Sequence, residues 1–141
     1  MLRLEVTTDK TKIDFDRVYR FLNGHSGWAQ GIPHDLFVRA MGNALCFAGF
    51  LAGEQIAFAR VISDFATFAN LVDVFVEPEF RGNGHATTLL KHVFDHPDLQ
   101  GLRRFTLATA DKHGLYSQFG FHAPARPDTL MERYDPEIYQ R

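Results

Sequence analysis

Apolar and polar positions change their period several times along this chain. Leu2, Leu4 and Val6 alternate with polar neighbours, the period of a short strand. Phe15, Val18, Tyr19 and Leu22 then fall at i, i+3, i+4 and i+7, the stripe of an amphipathic helix, and Asn23-Gly24 closes it. His25 to Ile32 reads as a loop carrying Gly27, Trp28 and Gly31. Pro33 suits a first helical turn, Leu36, Phe37, Ala40 and Met41 make one apolar face, and Gly42 ends that helix. Three strand-like runs follow: Ala44 to Leu51, Gln55 to Ile62, and Phe68 to Val76, the last stopped by Pro78. Turns at Ala52-Gly53-Glu54 and Ser63-Asp64 make them an antiparallel meander.

The period changes again at Ala86, Leu89, Leu90 and Val93, a helix that ends before Pro97. Phe105 to Ala108 predicts a strand, His113 to Phe119 a short helix stopped by Gly120, and Leu130 to Tyr134 a last strand. The order β-α-α-β-β-β-α-β-α-β predicts an α/β fold: a mixed, mostly antiparallel central sheet flanked by helices. The central strand–helix–strand unit predicts one parallel pair.

At roughly 100–200 residues per domain, the 141 residues predict a single domain, 1–141. Hydrophobic residues at 45% and charged residues at 23% exclude a disordered or collagen-like chain. Fourteen Phe predict a large aromatic core or an apolar pocket. The net charge of -2 carries no basic excess, so neither a nucleic acid nor an anionic membrane is an expected partner. No apolar run approaches the roughly 20 residues that span a bilayer. A single cysteine, Cys46, excludes an internal disulfide and a cysteine-rich metal site. These features predict a cytoplasmic protein. Strand edges left unpaired make a homodimer a further expectation.

The chemistry concentrates in Val74-Phe75-Val76-Glu77-Pro78-Glu79-Phe80-Arg81-Gly82-Asn83-Gly84-His85-Ala86. A strand ends at a proline, a loop with two glycines follows, and an amphipathic helix begins. Helix N-termini present unpaired N–H groups and a partial positive charge. Glycines let an anion approach the backbone closely. The segment is therefore a candidate phosphate cradle. It is neither a P-loop, which needs Gly-Lys-Ser/Thr, nor a dinucleotide fingerprint, because Thr87 stands at the third glycine position. On the glycines alone, a turn without a ligand is an equal reading.

Arg81-x-x-Gly84-x-Ala86 resembles the Arg/Gln-x-x-Gly-x-Gly/Ala motif of the GNAT N-acetyltransferase family. Val76-x-Pro78 is similar to the approach to that motif, and Tyr116-x-x-x-Gly120-Phe121 to the second signature downstream. The element order also resembles the GNAT fold over nearly the whole chain. The resemblance implies a donor, acetyl-CoA, and no metal. It implies that Arg81, Gly82, Asn83, Gly84, His85 and Ala86 hold the pyrophosphate through backbone N–H groups, and that Phe75 and Val76 offer their backbone to the pantetheine arm. It implies Tyr116 as the acid for the departing thiolate. The resemblance also implies a coenzyme contact at Thr109, which stands where the family often has an Asn.

The resulting expectation is transfer of acetyl to an amine of a small molecule or peptide. Its alternative is a non-catalytic coenzyme A-binding sensor or assembly module. Amine attack needs a group that takes a proton. Asp73, in the apolar strand Leu71 to Val76, is a candidate base or substrate anchor, or else the ion-pair partner of Arg60. Plain alternation puts Leu71, Asp73 and Phe75 on one face. Glu77 and Glu79 read as solvated loop residues. Trp28 is a candidate acceptor contact or packing anchor, and Phe37 and Phe68 are weaker candidates of the same kind. His92 and His96 at i, i+4 have metal-ligand spacing but no evident third ligand, and read as a solvated face. Cys46 reads as core.

Overall fold

The Asp14 side chain accepts a hydrogen bond from Arg17 N at 3.0 Å, and this cap starts helix α1 (Phe15–His25). The computed structural model describes residues 2–140. Its first compact unit covers 1–108 and its second 109–141.

In the first unit, α1 runs past Asn23-Gly24 to His25, one residue before Ser26. The buried Ser26 hydroxyl donates to Leu22 O at 2.6 Å and accepts Ala29 N–H at 3.0 Å, so it both ends the helix and shapes the loop behind it. Helix α2 (His34–Gly42) follows, with Pro33 at its N-cap rather than inside its first turn. The sheet order is β1-β2-β3-β4-β5, with β1 at Glu5–Thr7, β2 at Leu45–Leu51, β3 at Glu54–Ser63, β4 at Phe68–Val76 and β5 at Arg104–Leu107. Neighbours are antiparallel except β4 and β5, which run parallel through the crossover helix α3 (His85–Phe94). The meander and the single parallel pair are those the hydrophobic pattern predicts.

The two faces of the sheet follow from register. Phe58 packs edge-on against Phe15, and Phe75, its partner across the ladder, stacks on Phe21 at 3.9 Å. Helix α1 therefore covers that face. Phe47 pairs with Ala59, one residue from Phe58, and so points the other way. There it meets His96, just beyond α3, with ring centroids 5.6 Å apart. Helix α3 thus closes the second face, through Leu89, Leu90 and Val93, all fully buried.

Simple alternation fails in β4. Arg60 pairs with Val72 while Phe58 pairs with Phe75, so β4 carries one extra residue against β3. Asp73 sits in that bulge with φ 56°. The extra residue reverses the phase. Leu71, opposite Val61, shares the α3 face, whereas Phe75, opposite Phe58, shares the α1 face. The expectation that Leu71, Asp73 and Phe75 line one face is corrected by this bulge.

The second unit holds a short helix α4 (His113–Ser117), which ends sooner than the pattern predicts. Gly120 at φ 89° reverses the chain, and Phe121 N–H returns to Tyr116 O at 3.3 Å. The last predicted strand, Leu130 to Tyr134, does not form. Its run Leu-Met-Glu-Arg-Tyr has no true alternation, and Leu130, Met131 and Tyr134 are all exposed, so no face is buried to hold a ladder.

Candidate active site

Strand β4 has two partners over only half its length. Its pairing with β5 runs from Phe68–Arg104 to Leu71–Leu107. From Val72 onward, β4 pairs with β3 alone among the described strands. The split begins where the Asp73 bulge twists the strand. Phe75 and Val76, the expected pantetheine contacts, lie on this freed stretch. Glu77 N–H donates to Ile56 O at 2.7 Å, which keeps the strand's end on β3. The Arg81 Nε donates to Val76 O at 2.9 Å, so the motif arginine folds back on the strand that precedes it.

The loop ahead of α3 is open where it has to be. Gly82 and Gly84 adopt φ 82° and φ 79°, and a Cβ placed on either would meet no atom within 4 Å. Gly84 is the N-cap of α3 and provides no side-chain cap. The first turn holds no acidic residue. The first return bond is Thr88 N–H to Gly84 O at 3.2 Å, so the N–H groups of Gly84, His85, Ala86 and Thr87 precede any intrahelical acceptor. Most helices quench such an end with Ser, Asp or a carboxylate. This one leaves those N–H groups without an acceptor among the described residues, which fits an anion. Asn83 instead turns its amide to Phe80 O and Arg81 O, at 3.4 and 3.3 Å, and so stiffens the loop.

On the α1 face, a cavity of about 450 Å³ opens among Phe21, His25, Glu77, Pro78, Glu79 and Arg81. It adjoins both the end of β4 and the start of the glycine loop. Glu77 is not the solvated residue its loop position predicts. It pairs with Arg17 at 3.3 Å, and Arg17 also reaches Glu54 at 3.1 Å. Another cavity, of about 340 Å³, lies at the far end of α3 beside Lys91, His92 and His96. There the His96 Nδ1 accepts Asp98 N–H at 3.1 Å, a structural bond. No group of three or more His, Cys, Asp or Glu among the described residues is arranged to hold a metal ion.

Asp73 is bonded on both carboxylate oxygens. Arg60 Nε meets Oδ2 at 2.7 Å, and Trp28 Nε1–H donates to Oδ1 at 2.7 Å. The sequence does not show the indole bond, because 45 residues separate its partners. The signal that points toward it is an acid in an apolar strand. Phe37 is 2% exposed and packs against Tyr19 in the core, so it offers no surface to an acceptor. Phe68 is half-exposed at the start of β4, on the stretch paired with β5. Cys46 is buried, and burial pushes its thiol up to about 11, which leaves it no thiolate to attack with.

In the second unit, Tyr116 is buried, and burial raises its pKa above the usual tyrosine value. Its ring packs edge-on against Phe121. Its hydroxyl makes no hydrogen bond to a described residue, yet no buried side-chain polar atom among the described residues lacks a partner. The hydroxyl is therefore not sealed in. The Thr109 hydroxyl accepts Lys112 N–H at 3.0 Å and is occupied by that local turn.

Comparison with known proteins places this arrangement. The family model of the Acetyltransferase (GNAT) domain matches residues 42–123, from before β2 to the turn after α4. A crystal structure of a GNAT-family protein from Xanthomonas campestris pv. campestris is 52% identical, with a TM-score of 0.96 over 100% of this chain and 99% of that one. A candidate acetyltransferase of Gibberella zeae is 29% identical over 80% of this chain and 75% of its own length. The aminoglycoside N-acetyltransferase AAC(6')-Iy, solved with a bisubstrate analogue of CoA and acetylneamine, is 18% identical and shares the fold at a TM-score of 0.64, over 96% of this chain and 99% of its own. The split strand, the uncapped glycine loop and the match across 42–123 make this chain a member of the GNAT acetyltransferase family.

Proposed function

We propose that this protein moves an acetyl group from acetyl-CoA to a primary amine of a small molecule or peptide. The observation that carries this reading is the uncapped N-terminus of α3 behind two left-handed glycines with open space around them. A cradle of this kind suits a pyrophosphate, because its N–H groups and helix dipole add at one point. Gly82 to Ala86 would hold that group, with Arg81 bracing the loop against Val76. The donor supplies an activated acyl group on a thiol leaving group. The freed stretch of β4, through Phe75 and Val76, supplies backbone donors and acceptors to an extended arm. It also supplies an N–H for the negative charge that develops on the acyl oxygen during attack.

Protons are the remaining requirement. A lysine-like amine has a pKa near 10.4 and must reach the thioester uncharged. The departing thiolate gains from an acid. Tyr116 is our candidate for that acid. Its role rests on its place in the second motif and on its unbonded hydroxyl. Burial keeps it protonated across neutral pH. Asp73 is a poorer candidate for the base than its sequence position suggests, because both oxygens already accept short hydrogen bonds.

The test has two parts. Acetyl-CoA at 100 times its Kd should stabilise the protein by about 2.7 kcal/mol, read as a rise in Tm. A screen of polyamines, aminoglycosides, amino acids and N-terminal peptides should then release free thiol with at least one class. Binding without release for every amine would support a coenzyme-binding module instead. No binding at all would remove the reading.

A further inference from the structure

We propose that the exposed indole face of Trp28 is the wall that recognises the acceptor, that the buried Arg60–Asp73 pair exists to position it, and that it selects amines carrying a second positive charge. The proposal rests on the acetyl-transfer reading and adds the acceptor class.

A tryptophan that merely anchors a loop buries its ring and finds a partner for its N–H. Trp28 does only the second. Its single polar atom, Nε1, points inward to Asp73 Oδ1 at 2.7 Å, yet the residue is 54% exposed. What reaches solvent is therefore an aromatic surface with its polar atom already occupied. The carboxylate beneath is fixed in turn, because Arg60 Nε holds its other oxygen at 2.7 Å. Both side chains of that pair are largely enclosed, at 15% and 6% exposure. Burying two charges is costly unless the geometry is good. Here the cost maintains a fixed acceptor for one indole N–H.

The loop that carries Trp28 needs such a fastening. Gly27 has open space where a Cβ would lie, and Gly31 adopts φ 85°. Ser26 fixes the loop's entry and the Tyr19 hydroxyl, bonded to Ile32 O at 2.8 Å, fixes its exit. Between them, the Trp28–Asp73 bond ties the loop to the sheet.

An aromatic face attracts cations through its quadrupole, and indole does so best among the side chains. Arg60 neutralises Asp73, so the fastening itself presents no net charge to an incoming ammonium. On the same face of the sheet lies the cleft whose Phe21 wall stacks on Phe75, two residues along β4 from Asp73; Glu79 and Arg81 line it with opposite charges, so the selection for a cation falls to the indole face. A diamine would have one nitrogen to react and one charge to be held. An acidic acceptor brings no second cation to the indole face.

Trp28 is the only tryptophan in the chain, so its emission reports on this surface alone. The full-length protein saturated with CoA should be titrated with butane-1,4-diamine, with butylamine and with glutamate. We expect a saturable change in emission at the lowest concentration for the diamine and the highest for glutamate. With acetyl-CoA as donor, the KM values should fall in the same order. Trp28→Leu should raise KM for the diamine about 10-fold, the scale of a desolvated cation–π contact. The KM for acetyl-CoA should stay unchanged, and Trp28→Phe should recover most of the loss. A double variant, Arg60→Met with Asp73→Leu, removes both charges together and so leaves no lone buried ion. It keeps Trp28 and should still raise KM for the diamine. Wild-type KM in Trp28→Leu, or tighter binding of glutamate than of the diamine, would overturn the proposal. Absence of thiol release with every amine would instead overturn the transfer reading. In that case the emission titration still decides the wall, and a flat response to the diamine would refute it.

Discussion

Between Asp73 and Gly84 the backbone enters the left-handed region three times, and the chain deals with it in two opposite ways. At Asp73 (φ 56°) the position is closed. The residue has a side chain, both its oxygens are bonded, and its surroundings are core. At Gly82 and Gly84 (φ 82° and 79°) the position is open, with no side chain, no cap and no atom within 4 Å of where a Cβ would lie. Holding an L-residue there costs roughly 1–2 kcal/mol, so a non-glycine needs compensation while a glycine does not. The closed site takes its compensation from within the protein, through Arg60 and Trp28. The open site leaves its N–H groups to be satisfied from outside. Strain balanced internally fixes a geometry, and donors left unbalanced mark where a ligand belongs.

The sharpest way to break this comparison is to open the closed site. Asp73→Ala leaves the Arg60 guanidinium buried without a counter-charge, at a cost of about 3–5 kcal/mol. Urea denaturation should show the unfolding free energy falling by that amount, read as a lower midpoint at unchanged m. Arg60→Met should cost less beside Asp73→Leu than alone, because the double change removes the stranded charge. Additive losses in that cycle would mean that the two groups do not form the pair the distances describe.

The converse change closes the open site. Gly84→Val places a branched side chain at positive φ where the coenzyme phosphate is expected. The variant should lose the stabilisation of about 2.7 kcal/mol that acetyl-CoA at 100 times Kd supplies. Without ligand it should be destabilised only by the backbone strain. An unchanged acetyl-CoA shift would remove this loop from the coenzyme site.

Tyr116 tests chemistry rather than binding. Tyr116→Phe keeps the ring and should lower kcat about 100-fold while leaving KM for acetyl-CoA unchanged. Burial raises the pKa of Tyr116, so the folded protein holds this proton longer than the unfolded chain does. Any stability linked to it is present below the ordinary value near 10 and is lost as pH rises through the folded value. An acid of this kind gives the wild type an alkaline fall in kcat that the variant lacks. Identical pH–rate profiles would assign the proton to water.

The parts of this molecule that show in its sequence are those set by local pattern. The helix stripe at Phe15, Val18, Tyr19 and Leu22, the meander, the crossover helix and the glycine loop each depend on residues a few positions apart. The bulge at Asp73 does not show, because it is a mismatch between two strands and period-two alternation within one strand is silent about its partner. Glu77 reads as solvated because its partner Arg17 lies 60 residues away. Trp28 and Asp73 stand out separately, one in a loop and one in a strand, and only the fold joins them. Phe37 reads as an acceptor contact because apolar residues near a loop look alike whether they face the core or the solvent. The final strand does not form because β propensity without alternation leaves no face to bury.

The hairpin between β3 and β4 offers a smaller copy of the closed device, and it separates the role of hydrogen bonds from that of burial. Phe65 adopts φ 61° without being glycine. The preceding Asp64 accepts from Ala66 N, Thr67 N and Phe68 N at 3.0, 2.8 and 3.1 Å, and from the Thr67 hydroxyl at 2.6 Å. These bonds favour the charged carboxylate and hold its pKa well below the usual range, with the Thr67 hydroxyl the largest cause. The sign follows directly. A depressed folded pKa means that the unfolded chain binds the proton more readily. The contribution is therefore complete above the ordinary aspartate value near 3.9, and it is lost as pH falls from there through the folded value. Unlike Asp73, Asp64 is exposed and has no charged partner among the described residues, so water can replace its bonds. Asp64→Asn should therefore cost little at pH 7, less than any change at Asp73, and the wild type's advantage should narrow below pH 4. Melting curves of the two proteins between pH 2 and pH 7 measure that convergence. A loss in Asp64→Asn as large as in Asp73→Ala would show that carboxylate hydrogen bonding alone, without burial or a counter-ion, makes a left-handed residue structural.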